Sequence, residues 1–161
     1  MGGNTLIFEN AIDMREQLPD GGALLGIDLG TKTIGLATCD AGWRFATAGK
    51  TISRGKFARD RDSLDELIAN RNVAGIVIGL PRNMDGSEGP RAQSARAYAR
   101  NLAEASSLPI LLWDERWSTH SAEAAMIGQD MSRAKRAEKI DSHAAAIILQ
   151  AAIDALAGGS V

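Results

Sequence analysis

The sequence predicts an α/β domain in which an antiparallel meander of three strands precedes a βαβ unit, so that a mixed five-stranded sheet carries helices on both faces. Near the start of the chain, two short runs (23–28 and 33–39) are typical of strands, and a tight turn separates them. A later run, Val73–Leu80, is almost wholly apolar, which is typical of a central strand covered on both faces. Strand and helix patterns alternate only from there on, whereas a doubly wound fold would alternate from its beginning.

The first part of the chain predicts an arm followed by the meander. Residues 1–22 lack a steady hydrophobic period and end in the turn signal Pro19-Asp20-Gly21-Gly22, which indicates an appended N-terminal arm. Within this arm, residues 10–17 favour a short helix. The strands of the meander are predicted at Ala23–Asp28, Thr33–Cys39 and Phe45–Ile52.

The rest of the chain predicts helices that alternate with buried strands. Apolar residues at helical spacing indicate a helix over residues 60–70, Pro81 ends the apolar strand, and the polar segment 82–89 is typical of a loop. Later helices are predicted at 90–104, at 118–127 and from about 137, with a strand at 109–114. We therefore expect an arm over 1–22, one domain over 23–157 and a flexible tail over 158–161.

The composition bounds the class of protein. A chain of 161 residues and 17.0 kDa with 45% hydrophobic residues fits one globular domain. Its single cysteine, Cys39, excludes an internal disulfide scaffold and favours a reducing compartment, so we expect a cytoplasmic protein. The purest apolar run, Ala144–Leu149, is far shorter than the roughly 18 residues of a membrane span, so no membrane partner is expected. Nothing in the sequence indicates an oligomeric state.

The net charge of −2 conceals two basic clusters. Residues 50–61 contain five cationic side chains and one acidic one, and residues 133–139 contain four and one. Each cluster could be an ordinary solvated surface. The two clusters could equally contact the phosphates of a nucleic acid, and we expect a nucleic acid as the partner.

Carboxylates occur at three places where they have little structural reason to be. Asp28 ends an apolar strand, and Asp114 and Glu115 end another. Asp141 shares the apolar face of the last helix with Ala145. Converging acids repel one another unless a cation lies between them. A pair of Mg²⁺ or Mn²⁺ ions would relieve this repulsion, and such ions activate water and stabilise the leaving oxygen of a phosphodiester.

Each of these acids also has a purely structural interpretation. Asp28 could cap the turn that follows it, and Asp141 could cap its own helix. Asp114 or Glu115 could pair with Arg116. Their joint arrangement favours the metal site.

Four sequence blocks occur together in a specific order. They are GIDLGTKTIGLA at 26–37, IGLP at 78–81 with Met84, Asp85 and Gly86, DER at 114–116 with Ser118 and Thr119, and KID at 139–141 with Ala144, Ala145, Ile147, Ile148 and Leu149. Over residues 23–153 these blocks resemble the YqgF family, also called RuvX-like, of pre-16S rRNA nucleases and Holliday junction resolvase homologues in the RNase H superfamily.

The resemblance implies an RNase H-like fold and metal-dependent cleavage of nucleic-acid phosphodiesters. By position it makes Asp28, Glu115 and Asp141 the catalytic residues and the ligands of Mg²⁺ or Mn²⁺. The usual resolvase pattern of the superfamily places an acid on the strand at 73–80, where this chain has none. Glu115 on the next strand would therefore have to serve instead.

Further residues beside these acids are candidate substrate contacts. Lys32 lies in the turn after the first acid, where an ammonium and backbone N–H groups can hold a phosphate, although an ordinary solvated hairpin fits equally well. Arg82 and Asn83 follow a strand whose end faces the proposed site. Arg116 could clamp the scissile phosphate or orient the carboxylate beside it, and Trp117 could contact a base or sugar.

The sequence thus predicts a metal-dependent endonuclease, with the 5′ end of precursor 16S rRNA as the favoured substrate. One alternative keeps the chemistry and exchanges the substrate for branched DNA, as in a Holliday junction resolvase. Another is a non-catalytic RNA-binding factor in ribosome assembly. A third interprets Asp28-Leu29-Gly30-Thr31 as the phosphate loop of an actin-like ATPase or sugar kinase, but those enzymes need two such domains around the nucleotide.

Overall fold

The computed structural model describes residues 6–18, 22–40, 42–117 and 133–158, with their side chains except at 117, 133–142 and 158. Within these ranges the chain forms six strands, four α-helices and one 3-10 turn. In order, the elements are β1 (Ile7–Phe8), α1 (Ala11–Arg15), β2 (Ala23–Leu29), β3 (Thr33–Cys39), β4 (Ala46–Ser53), α2 (Phe57–Arg71), β5 (Val73–Leu80), α3 (Pro90–Ala105), β6 (Ile110–Asp114), the 3-10 turn (Glu115–Trp117) and α4 (Arg133–Gly158).

The strands form one mixed sheet in the order β1-β6-β5-β2-β3-β4. The meander β2-β3-β4 is antiparallel, whereas β5 is parallel to β2 and to β6, and β1 is parallel to β6. The predicted meander and the parallel strands after it are confirmed. The predicted number of five strands is wrong, because Ile7–Phe8 of the arm adds a sixth along the outer side of β6. Two residues are too few to show a strand period in sequence.

The arm continues into a short helix that packs against the domain. The Asn10 side chain caps α1 by accepting hydrogen bonds from the backbone N–H groups of Ile12 (2.8 Å) and Asp13 (3.3 Å). Ala11 and Met14 of this helix are buried in the core that α4 covers. The predicted helix within residues 10–17 is therefore confirmed.

Each face of the sheet has its own apolar core because successive strand residues point to opposite sides. In β2, Leu25 and Ile27 belong to the core that α2 and α3 cover, together with Leu64 and Leu102. Leu24 belongs to the opposite core, which α4 covers. The sheet is thus the middle layer between helices, as the sequence predicts.

Helix α4 lies unusually close to the sheet at Gly26. A Cβ placed on Gly26 would lie 2.8 Å from Leu149 Cβ and 3.1 Å from the carbonyl oxygen of Ala145. Both atoms belong to the helix backbone or to the stem of a side chain, so neither can rotate away. The absence of a side chain at this position fixes the distance between α4 and the centre of the sheet.

We expect Gly26→Ala to lower the free energy of unfolding by about 1–3 kcal/mol, because overpacking here must push the whole helix outward. For a domain of this size each kcal/mol lowers the melting temperature by about 2–4 °C. Thermal denaturation followed by circular dichroism measures the effect. Gly49→Ala on the exposed part of β4 is the comparison and should cost less, since its Cβ would meet one tight contact, the carbonyl oxygen of Leu36 at 3.2 Å, and no helix. Equal melting temperatures for Gly26→Ala and the unchanged protein would contradict the expectation.

Two helices begin earlier than the sequence predicts. Helix α2 begins at Phe57 because Asp60, predicted to open it, instead accepts hydrogen bonds from the Gly55 N–H at 3.2 and 3.0 Å and is buried within the first turn. Helix α4 begins at Arg133 rather than near 137. The helix predicted at 118–127 lies outside the described residues. Among the described helices, none is both long and apolar enough to cross a membrane.

Candidate functional site

Asp28 lies near the carboxyl end of β2 on the face that α4 covers. It is two residues beyond Gly26, which contacts α4, and alternate strand residues share a face. Its partner in register on β3 is Gly35, which has no side chain. Only 9% of Asp28 is exposed, which is unusual for an aspartate.

Glu115 reaches the same face from the end of β6. Leu111 and Trp113 point to the α4 side, and Glu115 continues that alternation at the start of the 3-10 turn. Its carboxylate extends over the neighbouring strand β5, where a Cβ placed on Gly79 would lie 2.6 Å from Oε2. The space that a side chain at position 79 would fill is therefore shared by the Glu115 carboxylate and by Ile148 Cδ1 of α4, which would lie 2.7 Å from that Cβ.

The register of the parallel strands brings these two acids together. Ile27 of β2 is level with Ile78 of β5, so Asp28 follows beside Gly79. Adjacent strands lie about 4.8 Å apart, so the Glu115 carboxylate lies above the strand next to Asp28. The parallel strands β2, β5 and β6 all end on one side of the sheet, and we call this side the carboxyl edge. Asp28 and Glu115 both lie at this edge, on the face that α4 covers.

Position 141 lies on α4 toward the same edge. The Ala46 N–H donates to Gln150 Oε1 at 2.8 Å, and Ala46 lies in register with Cys39 at the opposite edge of the sheet. Since Ala145 lies over Gly26, α4 runs from the carboxyl edge toward that opposite edge. Position 141 is one turn before Ala145, about 6 Å closer to the carboxyl edge. The Asp141 side chain lies outside the described part of the chain.

Asp114 is directed to the other face of the sheet and is paired with arginines. Arg116 donates to it from Nε at 3.0 Å and from Nη2 at 2.7 Å, and Arg82 Nη1 donates at 3.3 Å. Burial alone would raise the pKa of Asp114, but the hydrogen bonds from Arg116 outweigh it and lower the pKa below the usual value. Of the structural interpretations considered above, the pairing of Asp114 with Arg116 is confirmed.

The loop over residues 81–89, where sequence reasoning places two substrate contacts, is held in a defined shape. Asn83 Nδ2 donates to Ser87 Oγ at 2.9 Å, and that hydroxyl and the Ser87 N–H both donate to Asp85 Oδ1. Arg116 Nη1 donates to the Met84 carbonyl at 3.4 Å and ties the loop to the end of β6. The loop therefore lies beside Asp114 and Glu115. The Trp117 backbone lies in the 3-10 turn, and its side chain is outside the described residues.

Basic side chains surround the turn after Asp28. Lys32 is exposed in this turn. Arg54, from the first basic cluster, donates from its backbone N–H to the Lys32 carbonyl at 2.9 Å and from Nη1 to the Gly30 carbonyl at 2.8 Å. Arg91 of α3 donates to the Leu29 carbonyl at 3.4 Å. The structure thus brings one end of the 50–61 cluster to the carboxyl edge, and adds Arg91, which sequence reasoning missed because no local pattern shows which arginine of α3 reaches the turn after Asp28.

The acids fit a divalent cation, which the sequence resemblance implies. Asp28 on β2 and the Glu115 carboxylate above β5 belong to the same face of the sheet on adjacent strands, and carboxylate oxygens are the ligands that Mg²⁺ and Mn²⁺ prefer. Among the described side chains, no three acids, histidines or cysteines form a cluster able to hold a metal ion. The third predicted ligand, Asp141, is not among those side chains.

Sequence comparison gives relatives along almost the whole chain. The family model described as "RuvX: Holliday junction resolvase" matches residues 22–155. A protein of Novosphingobium aromaticivorans named "Putative pre-16S rRNA nuclease" is 66% identical over 155 residues, which cover 96% of this chain and 99% of the relative. A protein of the same name from Sphingopyxis alaskensis is 61% identical over 151 residues, which cover 94% of this chain and 99% of the relative.

Structural comparison gives the same fold at low sequence identity. RuvC of Thermus thermophilus has a TM-score of 0.53 at 15% identity, with 84% of this chain and 96% of RuvC covered. The same protein in complex with a Holliday junction substrate has a TM-score of 0.51 at 16% identity and equal coverage. This likeness confirms the predicted RNase H-like fold, and the family model and the relatives together show that the chain belongs to the RuvX family and is a phosphodiester-hydrolysing nuclease.

Proposed function

We propose that this nuclease is a metal-dependent endonuclease in which Asp28, Glu115 and Asp141 hold Mg²⁺ or Mn²⁺, and that its substrate is precursor 16S rRNA. The observation that carries the metal site is that the Glu115 carboxylate lies above Gly79 of β5, on the same face of the sheet as Asp28 of the neighbouring strand β2. The names of the two relatives support the choice of substrate. With this substrate we expect a cytoplasmic protein.

The protein contributes preorganised negative charge. Asp28 is held on a central strand and Glu115 at the end of the second strand from it, so neither carboxylate needs to move far to bind a cation. Two acids in a largely buried setting repel each other, and a divalent cation stabilises both in their ionised form. When bound, the cation supplies a Lewis acid for the scissile phosphodiester and lowers the pKa of a coordinated water.

The substrate would lie along the carboxyl edge. Lys32, Arg54 and Arg91 surround the turn after Asp28, and Lys56 and Arg59 are exposed just beyond Arg54. Cations that contact phosphates position a nucleic acid without reading its sequence. The second basic cluster, residues 133–139, occupies the first turns of α4, whose N-terminal end lies toward the same edge.

On the other side of the acids, four further residues are proposed to contact the nucleic acid. Arg82 and Asn83 stand at the start of the loop over 81–89, and Arg116 and Trp117 lie in the 3-10 turn after Glu115. Arg82 and Arg116 already share Asp114, so we propose that they present a fixed positive surface rather than long mobile side chains.

Cleavage assays with two substrates test the proposal. Labelled precursor 16S rRNA and a synthetic four-way DNA junction are incubated with the protein, with and without Mn²⁺. We expect cuts near the 5′ end of the mature rRNA only when Mn²⁺ is present, and at least about tenfold slower cleavage of the junction. Chelation should abolish the activity because the carboxylates alone cannot stabilise the developing charge.

Other outcomes would identify the alternatives. Preferential cleavage of the junction by a dimer with two symmetric sites would instead support a Holliday junction resolvase, which the family description also names. No cleavage of either substrate, together with no Mn²⁺ binding by calorimetry, would support a non-catalytic RNA-binding factor.

A further inference from the structure

Two arginines from different elements meet beside the candidate active site. Arg82 follows β5 and Arg96 lies in α3, and their guanidinium groups are held between Glu88 on one side and Glu9 of the arm on the other. Arg82 also donates to Asp114, the residue before Glu115. The pair therefore lies at the carboxyl edge on the face that α3 covers, opposite to the face that carries Asp28 and Glu115.

The inner carboxylate, Glu88, fixes the two arginines. Arg96 donates to it twice, from Nε at 2.6 Å and from Nη2 at 2.7 Å, and Arg82 Nε donates at 3.1 Å. The hydrogen bonds from Arg96 and then from Arg82 lower the pKa of Glu88 to about 2. This carboxylate therefore remains charged at neutral pH and keeps both guanidinium groups in place.

The outer carboxylate, Glu9, binds the donors that point away from the core. Arg82 Nη2 and Arg96 Nη2 donate to its Oε1 at 3.0 and 3.2 Å, and Arg96 Nη1 donates to its Oε2 at 3.1 Å. Half of the Glu9 side chain is exposed (51%), compared with 25% of Glu88. Three N–H donors thus converge on an anion that lies at the surface.

On its N-terminal side Glu9 is tied to the sheet only by a short strand, whereas Asn10, the cap of α1, follows it on the other side. This short strand, β1, has two residues and pairs with β6 at the outer edge of the sheet. Opening a short outermost strand of this kind costs less free energy than opening the core of a domain. Its carboxylate can leave the arginines by rotation of its own side chain or by local opening of β1.

We propose that Arg82 and Arg96 form a binding site for a phosphate of the nucleic-acid backbone, and that Glu9 occupies this site in the free protein and leaves it when substrate binds. A carboxylate and a phosphate present paired oxygens to a guanidinium in the same way. With Glu9 in place, three arginines (82, 96 and 116) face three carboxylates (9, 88 and 114), and without it the network carries one excess positive charge. The arm would thus lower affinity for weakly bound polyanions.

The proposal rests on the proposed function only for the class of ligand, and binding without divalent metal tests it separately from cleavage. The probe is a fluorescently labelled fragment of precursor 16S rRNA in a buffer with EDTA, measured by anisotropy at several salt concentrations. We expect Glu9→Gln to bind about 3- to 10-fold more tightly at low salt, because the competing carboxylate no longer reduces the fraction of open sites. The slope of log affinity against log salt concentration should become steeper by the amount expected for about one additional phosphate contact.

Matched variants separate local competition from a change in total charge. Glu16→Gln removes the same charge from an exposed position of the arm, and we expect it to change affinity far less than Glu9→Gln. Arg96→Gln should weaken binding, whereas Arg100→Gln, one turn along α3 and exposed, should weaken it less.

The double variant Glu9→Gln/Arg96→Gln gives the decisive comparison. If Glu9 competes for the arginines, Glu9→Gln brings no gain in affinity once Arg96 is removed. If Glu9→Gln raises RNA affinity equally with and without Arg96, Glu9 acts only through the long-range effect of its charge. This result would overturn the proposal. Weaker or unchanged binding by Glu9→Gln alone, with a lowered melting temperature, would also overturn it and leave Glu9 as a structural tie between the arm and α3.

Discussion

Asp28→Asn is expected to reduce cleavage of precursor 16S rRNA by about 10³-fold or more, equivalent to about 4 kcal/mol of transition-state stabilisation. The amide has the shape of the carboxylate but lacks the charge that binds a divalent cation. Single-turnover rates in saturating Mn²⁺ measure the loss, and calorimetry measures the accompanying loss of Mn²⁺ affinity. Because the shape is kept, the melting temperature and RNA binding in EDTA should remain close to those of the unchanged protein.

The control for Asp28→Asn is Asp62→Asn, which removes a charge from an exposed position of α2. It should retain full cleavage activity. Full activity of Asp28→Asn itself, in Mg²⁺ or in Mn²⁺, would exclude Asp28 as an essential metal ligand. Loss of folding rather than of activity would instead indicate that Asp28 has a structural role at its buried position in β2.

The fold could be predicted from the sequence because its central strands carry their own signal. The apolar run Val73–Leu80 and the meander of 23–52 follow from hydrophobic patterns that are local to each strand. The strand Ile7–Phe8 could not be predicted in this way, because it is a strand only by pairing with Ile110 and Leu111 about a hundred residues away. Only tertiary contacts determine where such short strands form.

The candidate site was predictable in part for the same reason. Acids at the ends of parallel strands lie at one edge of the sheet, and only β5 separates β2 from β6, so Asp28 and Glu115 could be placed at the same edge from sequence. The ion pairs of Glu9 with Arg82 and Arg96 span 73 and 87 residues and have no local pattern. The role of Gly79 was also hidden, because a glycine in an apolar strand does not show which side chain fills the space beside it.

Gly79→Ala is expected to lower the cleavage rate by about 10²-fold, because its Cβ would lie 2.6 Å from Glu115 Oε2 and 2.7 Å from Ile148 Cδ1 and would displace the carboxylate as well as the methyl group. Gly75→Ala is the control on the same strand and face. Its Cβ would crowd side chains of the arm and of β2, Leu18, Met14 and Leu24, instead of Glu115. Both variants should lose similar stability by thermal denaturation. Equal activities for the two would contradict a specific role for Gly79.

Moving the carboxylate from position 115 to position 79 tests the same geometry by restoration. Oε2 of Glu115 lies 2.6 Å from the point where a Cβ of residue 79 would stand, close to the separation of Cβ and a carboxylate oxygen within an aspartate. Gly79→Asp combined with Glu115→Ala should therefore regain at least about tenfold in Mn²⁺-dependent cleavage over Glu115→Ala alone. Gly79→Asn in the same background has equal volume without the charge, displaces Ile148 Cδ1 (2.7 Å from that Cβ) equally, and should regain nothing. If the aspartate and asparagine variants are equally inactive although folded, the chemistry needs Glu115 at its own place on β6 and not merely a carboxylate above β5.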